Sequence, residues 1–383
     1  RGSKIFLVNL PYRITTVNNS YRTRCRNIIN ICSDNSCSCR VTDNINTIAA
    51  VYAANVKKDV YLARARKYES CLADAMAGED VDVSVHYNLL KCVNKNCKLM
   101  HRYIAARKKL LPGSLHMYDL YVPIVENAEL KLSYEEAFDL VKEGLAPLGK
   151  DYIATLQKAH DERWIDVEET QGKRSGAYAC GVYGVHPYVL LNYAETTHDV
   201  FTIAHELGHA MHSYLSSEKQ DYANHNYAIF AAEVASTCNE VLLTKYLLSK
   251  ETDPRRRAYI LNHFLEGFRT TVFRQTLFAE FEYRAHELEA KGTPLTAELL
   301  SNIYEELVKT YYPEAEFKDV IKYEWSYIPH FYRAFYVYQY ATGFSSAVAI
   351  ATNILETGDP SNYLEFLSSG GSDYPINELK IAG

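Results

Sequence analysis

The stretch HDVFTIAHELGHAMHSYL, residues 198–215, restricts the chain more than any other. His205 and His209 stand four positions apart, with Glu206 beside the first. On a helix, positions i and i+4 lie one above the other, so two imidazoles can reach one point, as a tetrahedral zinc ion requires. Thr196 or Thr197 can cap that helix, and Asp199 puts a negative charge in its first turn. Glu206 falls at the edge of the histidine face, badly placed to ligate but able to take a proton from a water that the ion acidifies. Gly208 costs about 1 kcal/mol in a helix interior relative to Ala, a cost that close approach of another backbone would explain. His212 reads as a supporting or surface residue.

A catalytic zinc needs a third protein ligand. The extended pattern with Gly three and His six residues after the second histidine is absent, since position 212 is His and 215 is Leu. Glu218 follows too closely to fold back. Glu233 lies on the next helical stretch, inside IFAAEVAST, where a carboxylate without a partner is costly. Glu240 falls on nearly the same face and can support the ligands from behind.

The rest of the chain sets limits. Hydrophobic residues make up 48% and charged residues 23%, which excludes a disordered polymer. A net charge of −6 gives no general electrostatic reason to bind nucleic acid or an anionic membrane. Nine scattered cysteines argue for a reducing compartment and unpaired thiols, and neither Cys32-x4-Cys37-x-Cys39 nor Cys92-x4-Cys97 has the spacing of a structural zinc knuckle. Tyrosine is in surplus, 32 residues against 14 Phe and 2 Trp, as suits half-buried packing or a polar cleft. No secretory signal is visible, and the RGS start without an initiator Met suggests a fragment. The uncharged run from Ala334 to Leu355 is long enough to span a bilayer, but its Tyr, Ser, Thr, Gln and Asn residues fit a buried helix better.

Periodicity makes the chain mainly α. Residues 1–45 stay unassigned, and helical patterns cover INTIAAVYAANVKKDVYLARARKYESCLADAMAG and HYNLLKCVNKNCKLMHRYIAARKKLLPG. Ser133 caps YEEAFDLVKEGL, a helix follows near 148–162, and a very long one runs from Pro254 to Gly292. Ser175 to Ala194 is the β-like region, giving one small antiparallel sheet before the histidine helix. The expected organisation is a helical N-terminal portion over 46–118 and a catalytic domain over 119–383.

HELGHAMHS with downstream FAAEVASTCNE, preceded by KRSGAYACGVYGVHPYVLLNY and followed by HFYRAFYVYQYATGF, resembles oligoendopeptidase F of the thimet oligopeptidase family of zinc metallopeptidases. The likeness runs from about Asn46 to the C-terminus and includes KKDVYLARARKYES and LHMYDLYVPI. It implies a zincin-like helical bowl with a deep central cleft, one zinc per chain and cleavage of short peptides in the cytoplasm. By that resemblance His205, His209 and Glu233 are the metal ligands and Glu206 the base. His330 and Tyr336 match the family's histidine- and tyrosine-bearing segment, with Tyr340 or Tyr338 able to hold the role given to Tyr336. Gly176, Ala177 and Tyr178 are expected to form an edge strand that pairs with the peptide backbone. The chain departs from the family in lacking a substantial N-terminal helical portion and in stopping at INELKIAG. A related zinc carboxypeptidase and a catalytically silent peptide-binding homologue are the alternatives.

Overall fold

The computed structural model describes residues 38–383 except 112, 126, 127, 129 and 318. Several helix starts follow polar side-chain caps. α1 (Ser38–Ala65) is followed by α2 (Cys71–Ala77), whose cap Ser70 accepts from the Ala73 amide. The single helix expected there is thus broken, because Lys67 turns into the left-handed region and Ser70 offers a new start. Helix also begins at Ser38, inside the stretch left unassigned. α3 (Ser84–Leu110) ends on three basic residues, as the helix dipole favours. Ser133 and Glu136 form the capping box of α4 (Tyr134–Gly144), and α5 (Lys150–Asp161) follows.

Three short strands come next: β1 (Ile165–Asp166), β2 (Tyr178–Cys180) and β3 (Tyr188–Leu190), in the order β1-β3-β2. β2 and β3 pair antiparallel, as expected, but β1 pairs with β3 in parallel, so the sheet is mixed. A strand of two residues carries no alternation to read. β2 lies at the sheet edge.

α6 (Thr197–Lys219) carries the histidines, capped by Thr196, which accepts from the Asp199 amide while Asp199 accepts from the Thr196 amide. α7 (Ile229–Lys250) follows. The helix expected from Pro254 to Gly292 is one continuous run with a π turn inside it: α8 (Pro254–Gly267), the π segment Phe268–Phe273 and α9 (Arg274–Ala290). The Thr270 hydroxyl donates to the Glu266 carbonyl there, a bond that competes with the helical ladder. α10 (Ala297–Tyr311) leads to 3-10 turns over Asp319–Tyr327 and Pro329–Tyr332. α11 (Tyr338–Thr357), α12 (Ser361–Ser369) and α13 (Pro375–Ile381) close the chain. The uncharged run from Ala334 is therefore helix from Tyr338 onward, and among the described residues no helix is long and apolar enough to cross a membrane.

Two apolar cores build this body. One gathers Tyr52, Val56, Ile104, Phe281, Tyr304 and Trp325 from α1, α3, α9, α10 and the 3-10 turn. The other gathers Phe138, Leu156, Phe201, Leu207, Leu242 and Phe366 from α4 to α7 and α12. α7 and α11 belong to both: Phe230 and Tyr338 sit in the first, Val234 and Ala347 in the second. The histidine helix is thereby pressed against α7 from one core, while the segment before α11 reaches it from the other. Cys71, Cys92, Cys97, Cys180 and Cys238 are free thiols; Cys32 and Cys37 lie outside the described residues.

Candidate metal centre and active site

α6 and α7 approach so closely that a side chain at Gly208 has no room. A Cβ there would lie 2.6 Å from the Ser236 Cα and 2.7 Å from the Ala235 carbonyl oxygen. The Asn239 side-chain amide donates to the Ala204 carbonyl at 3.0 Å and ties the two helices together in register. Gly343 on α11 also packs against Glu233, but a Cβ there would meet the Glu233 Cβ at 3.6 Å, an ordinary van der Waals contact that does not demand glycine. Glu233 is therefore sandwiched at the meeting of three helices.

This packing converges three side chains. His205 Nε2 lies 3.7 Å and His209 Nε2 3.6 Å from the same Glu233 oxygen. Two ligands of one tetrahedral zinc with bonds of about 2.0–2.1 Å stand roughly 3.4 Å apart, so the separations suit such an ion. Among the described residues, His205, His209 and Glu233 are the one group of three or more His, Cys, Asp and Glu side chains able to hold a metal, their ligating atoms all within 4.8 Å of one another. The donor set of two imidazoles and a carboxylate fits zinc. The Ser236 hydroxyl donates to that Glu233 oxygen at 3.0 Å, a partner the sequence reading missed although it stands one helical turn further on.

Glu240 sits behind the group. Its carboxylate is 2.5 Å from His205 Nδ1, which leaves Nε2 to face Glu233. Burial pushes the His205 pKa down, but the Glu240 hydrogen bond and the charges of Glu240, Glu233 and Glu206 outweigh it and raise it to about 10. His209 is pushed down to about 4, chiefly by burial. The carboxylates around His205 thus favour its charged form, while burial disfavours that form at His209.

Glu206 is buried beside them. Burial first, then the Glu233 and Glu240 charges, raise its pKa to about 7, against the pull of His205 and the Ala179 backbone amide. That amide belongs to β2, so the sheet edge runs along the carboxylate. β2 starts at Tyr178, so of the edge strand expected over Gly176, Ala177 and Tyr178 only the exposed Tyr178 lies in it, and Gly176 and Ala177 precede it.

The far wall comes from the other core. The His330 ring lies parallel to Tyr336, centroids 5.8 Å apart. Tyr340 stands edge-on to both, its hydroxyl 3.5 Å from His330 Nε2. Burial, followed by a hydrogen bond with Tyr336, holds the Tyr340 hydroxyl well above its ordinary pKa, and the Glu233 charge adds to the rise. Tyr338 does not join them: it is buried against His86 and Phe230 in the first core. His212 is buried too, stacked on Tyr227 at 3.5 Å, and is no surface residue. Its pKa falls to about 3 by burial, so it stays neutral.

The chain is similar to known proteins. The chain is 50% identical over 342 residues to oligopeptidase PepF of Bacillus subtilis, covering 88% of this chain and 51% of that protein. It is 44% identical to an oligoendopeptidase F homologue of Lactococcus lactis, over 88% of this chain and 57% of the relative. The chain thus spans about half the length of the curated relatives it matches. Among solved structures, oligoendopeptidase-F from Enterococcus faecium superposes with a TM-score of 0.74 at 36% identity, over 97% of this chain and 61% of that one. PZ peptidase A shares the fold, at a TM-score of 0.70 and 16% identity over 89% of this chain and 62% of that one. Residues 33–383 match Peptidase family M3, and with relatives of this identity spread across nearly all of the chain, it belongs to that family.

Proposed function

We propose that the chain is the zinc-dependent hydrolytic part of an oligoendopeptidase acting on short peptides. The observation that carries this is the convergence of His205 Nε2 and His209 Nε2 on one Glu233 oxygen, at 3.7 and 3.6 Å, beside a buried Glu206. Zinc held by these three side chains supplies Lewis acidity, polarising the scissile carbonyl and acidifying water.

The chain's own residues do the rest. Glu206, with a pKa near 7, takes the proton of the attacking water and returns it to the leaving amine. Glu240 holds His205 by Nδ1 and keeps its Nε2 aimed at the site. The β2 edge offers backbone amides to an extended peptide, which fixes the scissile bond with little demand on sequence. His330, Tyr336 and Tyr340 face the carbonyl from the opposite side, and their donors stabilise the negative charge that develops on its oxygen.

The test is a chelated sample assayed on internally quenched peptides of graded length. Hydrolysis should vanish on chelation and return with about one equivalent of zinc, with cuts inside the peptide. Release of single C-terminal residues would support a carboxypeptidase instead, and activity that survives chelation would refute the metal's role.

A further inference from the structure

Between His330 and Tyr336 the chain makes a turn that costs energy. Phe335 has φ +51°, a left-handed conformation that a bulky side chain seldom adopts. It is buried, with its ring against His86 and His286, so it cannot relax outward. Such strain persists where surrounding groups hold it. One group does so directly: the Phe335 amide donates to Glu282 Oε1 at 2.8 Å. Glu282 comes from α9, is itself 1% exposed, and its other oxygen has no hydrogen-bond partner. A fully buried carboxyl with one bond is expensive to keep and wants a purpose.

The turn decides where the wall stands. Phe335 is the residue before Tyr336, and its reversed φ brings the Tyr336 ring parallel to His330 at 5.8 Å. With an ordinary negative φ the chain would leave that ring pair in another direction. Glu282 also belongs to a buried set anchored on α1, since His286 Nε2 sits 3.4 Å from Asp59 Oδ2 and its Nδ1 donates to the Glu282 carbonyl at 2.9 Å. The tether therefore links the wall to the first core rather than to the metal helices.

We infer that Glu282 is a positioning residue, whose bond to the strained Phe335 amide sets the Tyr336 side chain in place against His330 for catalysis. This rests on the role proposed above for that wall. Reach, not charge, is what such a tether needs.

Glu282→Gln keeps the length and an accepting oxygen, so its kcat should stay within about threefold of wild type. Glu282→Asp keeps the charge but withdraws it by one methylene, and should lower kcat by about 10- to 100-fold, the scale of one misplaced oxyanion donor, with KM changed less than about threefold. In a Tyr336→Phe background the Asp variant should cost little more, because both act through the same group. Wild-type kcat in Glu282→Asp, an equal loss in Glu282→Gln, or losses that multiply with Tyr336→Phe would each overturn the inference. Two readouts need no turnover: exchange of the Phe335 amide should quicken, and the ring-current shifts of His330 should move, in Glu282→Asp and not in Glu282→Gln. Unchanged exchange and unchanged shifts would overturn the tether. Absence of peptide hydrolysis in the wild-type chain would instead defeat the proposed activity and leave those two signals standing.

Discussion

At the residue scale Gly208 shows how a local cost was readable and its reason was not. A glycine inside a helix wants an explanation, and that much follows from the sequence. The explanation is the α7 backbone, 2.6 Å from where a Cβ would stand, and only the fold supplies it. Gly208→Ala tests which effect wins. Helix propensity alone would stabilise by about 1 kcal/mol. Overpacking against a backbone, which cannot move aside as a side chain tip can, costs about 1–3 kcal/mol. The variant should therefore lose stability by denaturant titration, and a gain would show that the helices can part without cost. Glu233 was similarly legible, as a carboxylate among apolar neighbours. Ser236, which holds one of its oxygens, carried no signal beyond its spacing.

At the scale of elements, Ser133 and Thr196 start α4 and α6 where the pattern places them. The break after Ala65 was hidden because Lys67 takes a positive φ without any glycine or proline to announce it. β1 was invisible for want of length. β2, which starts at Tyr178 rather than at the expected Gly176, lies at the sheet edge beside Glu206, whose carboxylate feels the Ala179 amide. A peptide paired to that edge would also use the Ala177 amide. Ala177→Pro removes one donor, so kcat/KM should fall about 3- to 10-fold, the net worth of one hydrogen bond, while zinc content holds. Kinetics equal to wild type would place the peptide elsewhere.

At the scale of the molecule, the site is a product of two cores meeting. α6 with α7 brings the candidate metal-ligating group from one, while the turn before α11 brings His330 and Tyr336 and the start of α11 brings Tyr340 from the other. Helical spacing alone pairs His205 with His209. It says nothing of a segment far along the chain, so His330, Tyr336 and Tyr340 entered through resemblance to a family rather than through periodicity. Tyr336, Tyr338 and Tyr340 looked interchangeable for the same reason, until packing sent Tyr338 into the first core. The central claim is that metal holding and proton transfer belong to different side chains of this one site. Glu206→Gln separates them, since it keeps the shape and removes the proton acceptor. The decisive measurement is zinc content and quenched-peptide turnover on the same preparation of that variant. The account predicts about one zinc per chain, as in the wild type, with kcat lower by at least about a hundredfold. Turnover near the wild-type rate, or loss of the zinc along with the activity, would contradict it.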